Sequence, residues 1–176
     1  LRLLDLRSEG APAFGRAIRW LRAMQSKNGG WGAFDKDNTK RFVTRIPFAD
    51  FGATLDPPTE DVTAHIAECF ALEGVSRSER TMVHALRYLW NTQEPDGSWW
   101  GRWGVNYIYG LGAVLPALVV AGEDPAQERI RRAVQWLEAH QNADGGWGES
   151  CASYHRPELR GRGESTASQT AWALLA

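Results

Sequence analysis

Asp61 and His65 lie four residues apart in a stretch, Thr59 to Glu73, that reads as a helix entered through Pro57-Pro58 with Thr59 as its N-cap. Residues at this spacing share a helix face, roughly 5–6 Å apart at Cβ. An aspartate so placed holds a histidine protonated and oriented. Two ordinary readings compete. An acidic residue near a helix start complements the helix dipole, and a histidine on an apolar helix is commonly a satisfied core side chain. A second acidic pair, Asp35 and Asp37 in Asp35-Lys36-Asp37-Asn38, has the Asp-x-Asp form of a Mg²⁺ site and equally the form of a polar turn. Cys69 and Cys151 make no disulfide or zinc framework. Cys69 falls in an apolar helical pattern and is expected to be a buried thiol, in keeping with a reducing compartment.

The elements that carry these residues repeat. Three amphipathic segments each end in Gln and are followed, six residues on, by the Trp of a Gly-x-Trp loop: Gln25 with Trp31, Gln93 with Trp99, and Gln141 with Trp147. The segments share a phase. Phe14, Ala17, Ile18 and Leu21 mark one apolar face, as do Met82, Ala85, Leu86 and Leu89, and Ile130, Ala133, Val134 and Leu137. In each set the first member lies 11 residues before the Gln. Charged residues such as Arg16, Arg19 and Arg131 take the opposite faces, so these are half-exposed outer helices. Pro12 and Pro125 fall near two helix starts, where Pro is tolerated.

A different helix follows each loop: Thr59 to Glu73, Asn106 to Ala121, and Ser165 to Ala176. The second is apolar almost all round and is expected to be buried on every side, with Pro116 kinking it. The pattern predicts an all-α chain, a partial α/α toroid of outer and inner helix pairs in repeats of about 12–73, 77–121 and 125–176. The repeated Gln is expected to bond the last helix carbonyls and reach the N–H groups of the next inner helix, with the Trp lying over its amide. Two insertions, Gly32 to Pro58 and Glu149 to Glu164, break the rhythm and are candidates for function.

Composition narrows the choices. The 176 residues carry 20 basic and 21 acidic side chains with no basic stripe, which argues against a nucleic-acid partner. There are 18 Gly, above the usual ~7%, clustered in the repeat loops. No apolar run reaches the ~18 residues of a membrane span. The chain starts without Met and stops within an apolar helical pattern at Leu174-Leu175-Ala176, so both ends read as cut from a longer protein.

The Gln and Trp repeats resemble the QW motif of triterpene cyclases. Gly30-Trp31-Gly32-Ala33-Phe34-Asp35, Ile46-Pro47-Phe48-Ala49-Asp50-Phe51-Gly52, Asp56-Pro57-Pro58-Thr59-Glu60-Asp61-Val62-Thr63-Ala64-His65 and Gly101-Arg102-Trp103-Gly104-Val105-Asn106-Tyr107-Ile108-Tyr109-Gly110 closely resemble the squalene–hopene cyclase family. The resemblance covers essentially the whole chain. It implies a piece of the catalytic barrel of a bacterial monotopic enzyme, bound to the cytoplasmic side of the membrane, that cyclises squalene to hopene and hopanol without metal or organic cofactor.

By that resemblance the proton donor sits in an Asp-x-Asp-Asp motif, which is absent here and implied to precede Leu1. His65 would be the cationic partner that strengthens the acid, Asp61 its support, and Tyr109 a member of the surrounding hydrogen-bond network. Trp103 and Phe34 would line the cavity, where aromatic faces hold carbocations at ~2 kcal/mol or more each when desolvated. Many relatives carry Tyr at the position of Phe34. Phe48, Ala49 and Phe51 match the stretch forming the substrate-channel constriction, where some relatives carry Cys in place of Ala49. For each aromatic, plain core packing is the competing role. Other class II terpene cyclases, a protein-prenyltransferase β-subunit with zinc ligands, and a non-catalytic binding piece are the alternatives. The chain alone is expected to leave squalene unchanged and to form homo-oligomers through its apolar inner helices. Squalene incubation with product analysis and light scattering check both; hopene made by a monomer contradicts them.

Overall fold

The three Gly-x-Trp loops close in the same way, and this closure sets the architecture. The computed structural model describes residues 7–40 and 55–176. Within them lie α1 (Arg7–Met24), α2 (Glu60–Leu72), α3 (Arg80–Thr92), α4 (Tyr107–Val120), α5 (Glu128–Ala139) and α6 (Ala167–Leu175). Two 3-10 turns, Cys151–Tyr154 and Pro157–Leu159, stand between α5 and α6. Among the described residues, β-type pairing is confined to two antiparallel bridges, Trp31 with Thr59 and Asn38 with Asp56. The chain is a partial α/α toroid. The inner helices α2, α4 and α6 pack successively on one another, with α3 against α2 and α5 against α4.

The outer helices bury the expected stripe. Met82, Ala85, Leu86 and Leu89 are all buried, as are Ile130, Ala133 and Leu137. Val134, grouped with that face by its spacing, is exposed. On α1, Ile18, Leu21 and Met24 pack against the core, while Ala17 stays exposed. Helix α1 begins at Arg7, so Pro12 lies inside it and not at its first turn. Pro125 does precede its helix, in the turn before α5. Helix α4 has the expected character: Ile108, Leu111, Val114, Ala117 and Leu118 have no exposed surface. It continues through Pro116 as one helix, opening to solvent only at Val119 and Val120. Cys69 is half-buried, so the expected buried thiol is partly accessible.

The repeated loop residues exchange the roles expected of them. The indole N–H groups, not the glutamines, cap the outer helices. Trp31 donates to the Leu21 carbonyl at 2.7 Å, Trp99 to Leu89 at 2.7 Å, and Trp147 to Leu137 at 2.8 Å. Each acceptor is a carbonyl of the final turns, where helical partners run out. The glutamine amide instead donates to the loop: Gln25 to Gly29 O, Gln93 to Gly97 O, Gln141 to Gly145 O. In two copies it also reaches the start of the next outer helix, from Gln25 to Thr81 O and from Gln93 to Arg129 O. A side chain absent from the sequence reading completes the loop. Asn28, Asp96 and Asp144, each three residues after the Gln, accept from the N–H two residues on. This Asx turn sets up the following glycine, whose φ is +98°, +99° and +85° at Gly29, Gly97 and Gly145.

The loop then seats on the inner helix. Trp31 N–H donates to Thr63 Oγ1 and Trp147 N–H to Thr170 Oγ1, both at 3.0 Å. The second copy has Gly110 at this register, where an added Cβ would sit 2.1 Å from Trp99 O; the loop there rests directly on the α4 backbone. Tyr88 adds a cross-tie from α3, donating to Pro58 O at 2.7 Å. Of the ion pairs between repeats, Arg22–Glu79 and Arg77–Glu123 involve exposed arginines, and the half-buried Arg160 reaches Glu94 and Asp96 at 3.2 and 3.5 Å. Such pairs contribute about 0–1 kcal/mol each, so the buried ties and apolar packing dominate.

Replacing Trp31, which is 1% exposed, by Ala removes both its packing and a helix cap. The expected cost is about 3–5 kcal/mol, or a fall in Tm of roughly 6–20 °C for a chain of this size. Thermal unfolding by circular dichroism measures it. An unchanged Tm contradicts the role given to the indole.

Candidate functional site

Three segments meet at the N-terminal ends of the inner helices: the loop after Trp31, the first turns of α2, and the loop Gly101–Asn106 that leads into α4. Buried carboxylates hold the two loops and the start of α4: Asp56, Asp61 and Glu149 each accept backbone N–H groups. This inverts the usual arrangement, because the side chain is the fixed point and the loop backbone supplies the donors.

Asp61, on the first turn of α2, is fully buried. Its Oδ2 accepts from Arg102 N at 3.1 Å and Trp103 N at 2.9 Å. The rest of that loop is pinned in turn. Arg102 Nη2 donates to Leu55 O at 3.0 Å. The Tyr154 hydroxyl lies 2.8–3.2 Å from the carbonyls of Gly101, Arg102 and Gly104. Glu149 plays the same part for α4: its Oε2 accepts from Asn106, Tyr107 and Ile108 at 2.8–3.1 Å, filling the helix N-terminus with negative charge. Gln169, from α6, holds Glu149 through both of its backbone groups.

This framework carries the residues singled out in the sequence. Trp103 is 50% exposed and Phe34 is 70% exposed; their rings meet edge to face at 5.6 Å and 88°. The Arg102 guanidinium lies 5.4 Å from the Trp103 ring centre. His65 is exposed and its Nε2 is 3.5 Å from the Tyr109 hydroxyl. Tyr109 packs at 4.9 Å on Trp172 of α6. Burial first, then the charge of Asp61, pushes the Tyr109 hydroxyl up to about 12, so it keeps its proton near neutral pH.

Asp61 and His65 share a helix face as the spacing required, but among the described residues no hydrogen bond or ion pair joins them directly. Asp61 accepts from the loop backbone and His65 meets Tyr109. Tyr109 is the residue common to both, touched by His65 and by the field of Asp61. Phe48, Ala49 and Phe51 lie outside the described residues. Asp35 and Asp37 serve the loop itself: Asp35 accepts from Asn38 Nδ2 and Asp37 from Lys27 N. Among the described residues no group of three His, Cys, Asp or Glu side chains is placed to hold a metal ion. No described helix is long and apolar enough to cross a membrane.

What the arrangement offers is an exposed aromatic surface beside an imidazole–phenol pair, with the nearest carboxylate already engaged by backbone N–H groups. Asp61 Oδ2 is bonded by the loop backbone, whereas its Oδ1 is buried without a hydrogen-bond partner among the described residues. The chain matches the squalene-hopene cyclase C-terminal domain over residues 4–176. It belongs to that family. It is 53% identical over 176 residues to the squalene–hopene cyclase of Alicyclobacillus acidocaldarius, a match that covers 100% of this chain and 28% of that protein. Its identity to the squalene–hopene cyclase of Zymomonas mobilis is 50%, covering 99% of this chain and 27% of the relative. A dammaradiene synthase from the fern Dryopteris crassirhizoma is 44% identical over 92% of the chain and 26% of its own length. The chain thus spans about a quarter of the length of these relatives. Membership sets aside the prenyltransferase alternative.

The same turn of α2 holds a group that the sequence did not single out. Burial, reinforced by the charges of Asp61 and Glu94, pushes Glu60 from 4.5 up to about 7. Between pH 4.5 and 7 the folded chain therefore binds more protons here than the unfolded chain, and stability falls as pH rises through that window. The contribution is complete below about 4.5 and gone once Glu60 has ionised above about 7. Glu60→Gln is expected to flatten the decline in Tm between pH 5 and 8. An identical pH profile for variant and parent contradicts this assignment.

Proposed function

We propose that this chain forms part of the catalytic cavity of a triterpene cyclase that protonates squalene and closes it to hopene and hopanol through carbocations held by aromatic side chains. Family membership across residues 4–176 carries the reading, and the exposed Phe34–Trp103 pair beside His65 supports it.

The reaction begins when a carboxylic acid O–H transfers its proton to a terminal alkene carbon, leaving a tertiary carbocation. Successive alkene π pairs then attack, each forming one C–C bond and passing the charge on. The sequence ends by loss of a proton, giving an alkene, or by capture of water, giving an alcohol. An ordinary carboxylic acid is too weak for the first step. A cation hydrogen-bonded to its conjugate base favours the ionised form and lowers its pKa. His65 is assigned that task, with the Tyr109 hydroxyl at its Nε2 and Asp61 on the same helix face. The acid is assigned to the Asp-x-Asp-Asp motif of the family, which these 176 residues do not contain. Phe34 and Trp103 stabilise the cation through their ring faces, which offer charge density without a base to quench it. Association with one face of a membrane, from which so apolar a substrate would be drawn, belongs to the same proposal.

In the full-length protein, His65→Ala is expected to lower squalene turnover at least 100-fold, the scale of a lost acid–base partner, while Tm and circular dichroism stay unchanged. His65→Arg is expected to keep measurable activity because it keeps the positive charge. Near-normal hopene formation by a folded His65→Ala protein contradicts the assignment. Trp103→Ala is expected to lose turnover with little loss of Tm, the opposite balance to Trp31→Ala. Loss of stability without loss of turnover removes Trp103 from the cavity.

A further inference from the structure

We infer that Asp56 is the positioning residue that aims Phe34 into the cavity, and that through Phe34 it sets how far cyclisation runs before the cation is quenched. The inference rests on the squalene-cyclase reading given above and adds a determinant of product distribution to it.

Phe34 stands on a loop with little to orient it from outside. It is 70% exposed, and among the described residues the one ring it meets is that of Trp103. Its direction is therefore set by its own backbone. That backbone is held by Asp56, whose side chain belongs to a residue only 5% exposed. Three successive N–H groups converge on the carboxylate: Ala33 on Oδ1 at 3.1 Å, and Phe34 and Asp35 on Oδ2 at 2.5 and 2.7 Å. Bonds of this charge-assisted kind are shorter and roughly twice as strong as neutral ones.

Asp56 is itself immobilised. Its N–H donates to Asn38 O at 3.2 Å, and the next bridge joins Thr59 N to Trp31 O at 3.1 Å. Between these two ties stand Pro57 and Pro58, whose rings fix φ and leave little freedom. Pro58 O in turn receives the Tyr88 hydroxyl. Gly32 completes the fit, because a Cβ there would lie 2.6 Å from both Asp56 O and Asp56 Oδ2. The loop cannot shift without breaking the three bonds together. A carboxylate that served only to fill buried space would not need three consecutive donors from the residue bearing the exposed ring and its two neighbours.

The position of the ring matters because a carbocation is stabilised at a ring face and loses that stabilisation within a few ångströms. A loosened Phe34 leaves the later cations unprotected, and they release a proton early. Asp56→Asn keeps the shape while replacing one acceptor oxygen by an N–H₂ group that faces N–H donors. It is expected to lower kcat by up to about 100-fold, the scale of a ~1 Å misplacement. It should also raise the share of incompletely cyclised products in the direction seen for Phe34→Ala, with KM little changed. The double variant Phe34→Ala/Asp56→Asn is expected to give the product ratio of Phe34→Ala alone, because Asp56 acts through Phe34.

The experiment is squalene incubation of the full-length wild type and the three variants, with products separated by gas chromatography and Tm recorded. Gly32→Ala, which presses on the same carboxylate, serves in place of Asp56→Asn should that variant not fold. A product ratio unchanged from wild type in a folded Asp56→Asn or Gly32→Ala protein, or in Phe34→Ala, overturns the inference. So does a double variant whose products differ from those of Phe34→Ala. Absence of any cyclised product from the wild type is a different result, and overturns the squalene-cyclase reading itself.

Discussion

The structure depends on one bond made three times: a tryptophan N–H reaching back to a carbonyl in the last turns of the helix before it. A helix C-terminus has orphan carbonyls that must find donors, and here the donor arrives on a large apolar ring. The same side chain therefore caps the outer helix and fills the gap beside the inner one. The cap and the packing cannot form separately. With Trp31 and Trp99 almost wholly buried, the outer and inner helices of a repeat are locked in register by a contact that no solvent molecule can replace. The glutamine, by contrast, works between repeats, joining the first two loops to the first carbonyls of the next outer helix.

A frame of this rigidity transmits its precision to the site through carboxylates. Asp61 stands on an inner helix and holds the backbone of Arg102 and Trp103; Asp56 stands on a double-bridged stem and holds Ala33 to Asp35; Glu149 holds the first turn of α4. In each case the anchored segment carries or adjoins an aromatic residue of the site: Trp103, Phe34, Tyr109. Exposed rings on loops would ordinarily sample many orientations. Tying their backbone to buried charge removes that freedom while leaving the rings bare toward the open side. Asp56 spends both oxygens on backbone N–H groups, whereas Asp61 binds two through Oδ2 and keeps Oδ1 buried without a hydrogen-bond partner among the described residues.

Much of the frame was legible because its signals are local. The repeat pattern places the inner helices α2, α4 and α6 to within one or two residues, whereas α1 starts five residues before Pro12. The Asx residue three positions after each Gln, at Asn28, Asp96 and Asp144, is as regular in the sequence as the Trp, but a single polar residue in a Gly-rich loop does not reveal its acceptor role. The exchange of roles between Gln and Trp was not legible. Spacing shows that both recur, whereas the choice of acceptor depends on how the loop folds back. The site divides in the same way. The shared face of Asp61 and His65 follows from helical periodicity. Their partners do not, since Tyr109 lies 44 residues from His65 and the N–H groups bonded to Asp61 belong to Arg102 and Trp103, whose side chains give no hint of it. Asp56 and Glu149 escaped notice because a carboxylate that binds backbone leaves no pattern in the residues it binds.

Through Asp61 the Gly101–Gly104 loop is part of the rigid frame although Trp103 is half exposed. The most direct test is native-state hydrogen exchange at the Trp103 backbone N–H, compared with that of the core amides of α2. If Asp61 holds the loop as described, this N–H exchanges only when the repeat itself opens, at a protection within about tenfold of the α2 core. Its protection then falls away in Asp61→Ala while the α2 core amides remain protected. Exchange in the wild type as fast as in an exposed loop would contradict the central claim, because the aromatic wall would then be positioned by something other than the buried carboxylate beneath it.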